Sequence, residues 1–103
     1  SERAEQFSSE NFLRKRMWYL YIAKCADDTL YTGITTDVTR REFEHNTDNT
    51  HGAKSLRHKR PIRIVYTERH KSQSEARIRE AEIKGWKRKY KLRLIEKFTV
   101  LIR

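Results

Sequence analysis

At 103 residues the chain can build one hydrophobic core but not two. Its 24 lysines and arginines against 14 acidic residues leave a formal charge of +10, which opposes compaction and favours a polyanionic partner. A hydrophobic content of 36%, with 11% aromatic residues, is too high for a disordered chain and permits a folded domain.

Other classes fall away on composition. Cys25 is the single cysteine, so no intramolecular disulfide can form, which fits a reducing compartment. No Cys/His set has the spacing of a structural zinc site. No apolar run approaches bilayer length and there is no secretory hydrophobic region. The expectation is a cytoplasmic protein, free or nucleoid-associated, with no membrane partner.

In chain order, residues 1–16 are polar and aperiodic and read as a flexible N-terminal arm preceding a single domain over 17–103. Trp18 to Lys24 alternates as a strand, with Trp18, Leu20 and Ile22 on one face and Tyr19, Tyr21 and Ala23 on the other. Asp27-Asp28 marks a turn, and a second strand over 29–33 returns antiparallel and ends at Gly33. Asp37, or Thr36 before it, caps a helix over 37–47. Residues 47–60 are turn-rich and then densely basic, with Gly52 as a hinge. Pro61 opens a third strand, from Ile62 to about Glu68, with Ile62, Ile64 and Tyr66 on one face.

Ser72 and Glu75 have the spacing of a capping box, which starts a second helix near residue 73. That helix carries Ala76, Glu80 and Ile83 on one stripe and ends at Gly85. A third helix follows over 87–97, with Tyr90, Leu94 and Ile95 facing the core. The predicted fold is α/β in the α+β sense, a three-stranded antiparallel sheet flanked by helices.

Several residues stand out chemically. Arg41 and His45 are four apart on one helical face. Glu80 is a carboxylate on an apolar stripe and needs a cation, whether arginine or metal, to stay ionised there; a salt bridge to Arg41 is its simplest structural role. Lys54, Ser55, Arg57, Lys59 and Arg60 form the best candidate for phosphate-backbone contact. Lys84, Lys87 and Arg88 surround Trp86, which either caps the core or stacks on an exposed base.

Tyr19-Leu20-Tyr21 followed by Tyr31-Thr32-Gly33, with the run Gly33-Ile34-Thr35-Thr36-Asp37-Val38-Thr39-Arg40-Arg41 and then His45, resembles the paired motif of the GIY-YIG endonuclease superfamily, in its small stand-alone bacterial branch. The resemblance covers Met17 to about Ile95. It implies a metal-dependent endonuclease that hydrolyses DNA phosphodiesters, structure-directed or of low sequence specificity, with a role in DNA repair or recombination. Tyr21, Tyr31, Arg41, His45 and Glu80 would be its catalytic residues, and Glu80 would hold a single Mg²⁺ or Mn²⁺. Tyr21 would help activate the attacking water and Tyr31 would position water or phosphate. The substrate implied is DNA, branched or single-stranded, and a partner protein is compatible with the charge. Tyr19 replaces the motif's glycine, and the late asparagine of many members has no counterpart after Glu80. A binding module that kept the fold and lost turnover satisfies the same residues.

Overall fold

The computed structural model describes residues 17–102. The arm expected over residues 1–16 lies outside the described residues, as does Arg103. Strand β1 (Trp18–Lys24) is the middle of a three-stranded antiparallel sheet in the order β2-β1-β3. Its central position follows from its sequence, because both faces of WYLYIAK are apolar. Leu20, Ile22 and Ala23 are fully buried.

The turn to β2 (Leu30–Thr35) places Asp28 at a positive φ of 68°. Asp27 Oδ1 steadies that turn by accepting from the Thr29 amide at 3.1 Å and from its hydroxyl at 2.6 Å. Gly33 does not end the strand as expected, since Ile34 and Thr35 continue the pairing with Leu20 and Tyr19. Its purpose is room. Gly33 pairs with Tyr21, and a Cβ there would lie 2.6 Å from the Tyr21 hydroxyl.

Strand β3 (Arg63–His70) pairs with the other edge of β1. The expectation that Ile62, Ile64 and Tyr66 share a face is overturned. The register shifts opposite Ile22 and Ala23, so that Ile22 pairs with Tyr66 and Ala23 with Ile64. One extra residue on β3 reverses the alternation. Ile62 and Ile64 consequently pack with Tyr21, Ala23, Cys25 and Leu56, whereas Tyr66 packs with Leu20, Ile22 and Ile83 on the opposite side.

Helix α1 (Val38–Thr47) is capped by Asp37, which accepts from the Arg40 amide at 3.0 Å, an interaction worth about 1 kcal/mol. The basic stretch expected as loop contains a 3₁₀ helix, Lys54–Lys59, that buries Leu56. Asn46 locks α1 to the start of β3: its Oδ1 accepts from the Ile62 amide at 2.6 Å and its Nδ2 donates to the Ile62 carbonyl at 2.7 Å.

Helix α2 (Gln73–Lys84) starts on Ser72, whose hydroxyl accepts from the Glu75 amide at 3.2 Å. The returning Glu75 carboxylate takes the Lys71 amide, one residue earlier than in the standard box. Ala76 and Ile83 are buried on the expected stripe and Gly85 caps the helix. Helix α3 (Arg88–Ile102) runs five residues beyond its expected end. No glycine or proline stops it, and Phe98 packs edge-on against Tyr66 at 5.3 Å. Among the described residues no helix is long and apolar enough to cross a membrane.

Candidate active site

The hairpin and α1 bring three aromatic side chains together on one face of the sheet. Tyr21 projects from β1, Tyr31 from β2 and His45 from the last turn of α1. The ring centroids of Tyr21 and Tyr31 are 6.2 Å apart, and His45 is 5.9 Å from the first and 5.5 Å from the second. Tyr21 and His45 are buried and Tyr31 is half-buried. The exposed rim of the trio is therefore on Tyr31.

A direct hydrogen bond of 2.8 Å joins the Tyr21 hydroxyl to His45 Nε2. The Ala53 amide donates to the other ring nitrogen, Nδ1, at 3.4 Å. An acceptor at Nδ1 leaves the proton on Nε2, so His45 donates to the phenol oxygen. Burial, reinforced by the Arg41 charge, depresses the His45 pKa from 6.5 to about 4. The imidazole is neutral at pH 7 and is a donor to Tyr21, not its base.

Burial pushes the Tyr21 phenol up to about 12, against a downward pull from the hydrogen-bonding reach and charge of Arg41. Tyr31 and the negative charge of Glu80 add to the rise, so Glu80 lies within electrostatic range of the phenol. Arg41 is half-buried; its Nη1 donates to the His51 carbonyl at 2.7 Å and to Glu44 Oε1 at 3.3 Å. Partial burial disfavours its charge, but Tyr21 and Glu44 outweigh that and hold it more firmly cationic.

Glu80, on α2, does not bridge to Arg41. Its Oε2 lies 3.4 Å from Lys84 Nζ, a partner one turn further along the same helix. The Glu80 side chain is 23% exposed and that of Lys84 55%, so this is a surface pair worth a few tenths of a kcal/mol. Among the described residues no three His, Cys, Asp or Glu side chains cluster as a ligand set. A hard divalent cation here would have Glu80 as its protein ligand, with waters and substrate oxygens completing the shell, a donor set that suits Mg²⁺ or Mn²⁺.

The basic segment divides under the structure. Arg60 Nε donates to the His45 carbonyl at 2.7 Å, Lys59 Nζ contacts the Thr29 hydroxyl at 3.2 Å and Asp27 at 3.7 Å, and Arg57 bonds the Asn49 carbonyl. These three cations hold the loop in place. Lys54, Ser55, Lys84, Lys87 and Arg88 are exposed.

Three contributors escaped the sequence reading. Glu44 could have been found from its i, i+3 spacing to Arg41. Asn46 beside His45 carried only a turn signal. The Ala53 amide carried none, because a backbone donor has no sequence signature.

A motif split across a hairpin, a helix-borne arginine and histidine behind it, and a carboxylate on the next helix define a GIY-YIG-type domain. A family model of the GIY-YIG catalytic domain matches residues 17–93, and the chain belongs to that family. Its relatives include a UPF0213 protein of Natronomonas pharaonis, 51% identical over 77 residues, covering 75% of this chain and 88% of the relative. Another, from Staphylococcus haemolyticus, is 49% identical over 78 residues, covering 76% and 93%. The solution NMR structure of a UPF0213 protein from Bacillus halodurans is 40% identical, covers 78% of this chain and 83% of that one, and superposes with a TM-score of 0.50. The family is typically one of nucleases, which generally use a divalent metal and act on DNA.

One consequence of the buried imidazole can be measured on the folded protein. The unfolded chain binds a proton at His45 near pH 6.5 and the folded one only near pH 4. Between these values the unfolded state holds more protons, so stability is complete above 6.5 and is lost as pH falls towards 4. At 1.36 kcal/mol per tenfold in proton affinity, the loss is about 3 kcal/mol. Urea unfolding at pH 7 and pH 4.5 should show most of it, and His45→Gln should remove that part of the pH dependence. Equal pH dependence in both proteins would contradict a neutral buried His45.

Proposed function

We propose that this protein is a metal-dependent endonuclease that hydrolyses DNA phosphodiesters with Tyr21 as the general base. The observation that carries the reading is the 2.8 Å bond between a buried phenol and a neutral imidazole that donates to it, beside a firmly cationic arginine.

A phenol near 12 is protonated at neutral pH and must first yield its proton to solvent. The N–H of His45 and the charge of Arg41 both favour the phenolate that results. That phenolate takes a proton from water as the water oxygen attacks phosphorus, the phosphodiester P–O bond breaks, and the leaving alkoxide is protonated by solvent. Arg41 stabilises the charge gathering on the phosphoryl oxygens, and Tyr31, at the exposed rim, positions phosphate or water. When bound at Glu80, a divalent cation would supply further positive charge against the scissile phosphate. Specificity would be for DNA shape more than sequence, since the exposed Lys54, Lys84, Lys87 and Arg88 are suited to phosphate, which carries no base information. A role in repair or recombination suits such a specificity.

The test is incubation of the purified protein with duplex, branched and single-stranded DNA, with Mg²⁺ or Mn²⁺ against chelator. Metal-dependent strand scission is the expected result; metal-independent binding without scission on every substrate would leave a binding module. Of the cations expected to meet phosphate, Lys54, Lys84, Lys87 and Arg88 are the exposed four. Binding to duplex DNA should therefore weaken with salt at a log–log slope of about −3.6. A slope near zero in an anisotropy titration would count against any nucleic-acid role.

A further inference from the structure

The sheet face opposite Tyr21 carries aromatic side chains that the hydrolytic site does not use. Trp86, Tyr90, Arg93, Leu94 and Lys97 line an open groove of about 500 Å³ beside the start of α3. A second hollow of about 530 Å³ shares Arg93 and Lys97 and extends it along the helix towards Leu101.

Trp86 is held ready by the fold. It packs partly against the cluster of Leu20, Ile22, Tyr66 and Ile83. The guanidinium of Arg79 sits 5.1 Å from the indole centroid, and Arg79 is itself fixed by Glu68 at 2.8 Å and Glu82 at 3.2 Å. Arg79 does not line the groove, so the part of the indole facing it remains open. Tyr90, expected to face the core with Leu94 and Ile95, is instead 44% exposed and carries Lys89 and Arg93 near its ring, at 5.1 Å and 5.7 Å.

We propose that this groove is a docking site for a single strand of DNA, with an unpaired base stacked on Trp86 or Tyr90 and its phosphates met by Arg93 and Lys97. Charge complementarity selects the occupant. From residue 84 to residue 97 there are seven lysines and arginines against one acid, Glu96. An apolar partner would have to bury Arg93 and Lys97, which line the groove, whereas a strand of nucleic acid meets them with phosphates and offers a flat base to the rings. Arg93 and Lys97 are four residues apart on one face of α3, about 6 Å along the axis, which suits neighbouring phosphates. A duplex hides its base faces within the stack, so the aromatic part of this surface discriminates for unpaired DNA. The groove begins at Trp86, six residues beyond Glu80 and just past the end of α2. The choice of DNA over RNA rests on the hydrolytic reading; the stacking geometry stands without it.

The experiment is anisotropy with labelled oligothymidylate and with a blunt duplex of equal length, in chelator so that nothing is cut. Trp86→Ala and Tyr90→Ala should each weaken oligothymidylate binding about tenfold and change duplex binding less than about twofold. Trp86→Phe should restore most of the loss, because it keeps a stacking face. Tyr90 is exposed, so Tyr90→Ala remains decisive if thermal melting shows that Trp86→Ala fails to fold. Unchanged oligothymidylate affinity, or single-strand and duplex affinities falling together, overturns the proposal. So does polyglutamate competing as well as oligothymidylate, or an aromatic dependence seen only with oligouridylate. A failure to cleave DNA with metal present would count against the hydrolytic reading and leaves this readout untouched.

Discussion

Glu80→Gln is expected to leave a folded protein that binds DNA at least as well as wild type and cuts it on the order of 10³-fold more slowly. The structure makes the stability half of this expectation specific. Had Glu80 been the buried partner of Arg41, its loss would have stranded a charge at a cost of several kcal/mol. Arg41 is instead held by Glu44 and the His51 carbonyl, and Glu80 meets only the exposed Lys84. Removing that pair should move the unfolding free energy by no more than about 0.5 kcal/mol. Binding should hold or tighten, because a negative charge near phosphate has gone and Lys84 is released. Melting curves, an anisotropy titration and a cleavage time course on the same preparation separate the possibilities. A folded, binding-competent variant that cuts at the wild-type rate would remove Glu80 from the chemistry. A variant that melts several degrees lower would return it to a structural role.

How much of this could be read from residues alone varies by level. The central strand was legible because WYLYIAK is apolar on both faces, and the hairpin because Asp27-Asp28 interrupts two β-rich runs. The grouping of Tyr21, Tyr31 and His45 followed from period-two and i, i+4 spacings joined to the motif resemblance. What failed was whatever depends on pairing across strands. Nothing in Ile62-Arg63-Ile64-Val65-Tyr66 announces that β1 will meet it with a register shift, so plain alternation puts Tyr66 on the wrong face. Gly33 reads as a strand end because its own neighbours suggest a turn; the reason for it is the Tyr21 ring opposite. The basic run reads as a phosphate surface because charge is visible in sequence; the carbonyls that also engage Arg57 and Arg60 have no such signature.

Tyr21→Phe should separate the two phenols and is expected to cost about 10²- to 10⁴-fold in cleavage. The phenylalanine keeps the ring over Gly33 and the packing with Ala23 and Leu56, so the fold survives. It takes away the acceptor for His45 Nε2–H, and an unsatisfied buried donor costs about 1–3 kcal/mol. The kinetic signature lies in the pH profile. With a phenol near 12, the phenolate fraction rises about tenfold for each pH step at working pH, so the wild-type rate should climb from pH 6 to 9. Below pH 6.5 the neutral His45 adds no titration of its own until about pH 4. Tyr21→Phe should flatten the climb, whereas Tyr31→Phe should lower the whole curve and keep its slope, as expected of a group that positions phosphate or water at the rim. If the slope survives in Tyr21→Phe and vanishes in Tyr31→Phe, the base is Tyr31, and the bond from His45 to Tyr21 serves to hold the site together.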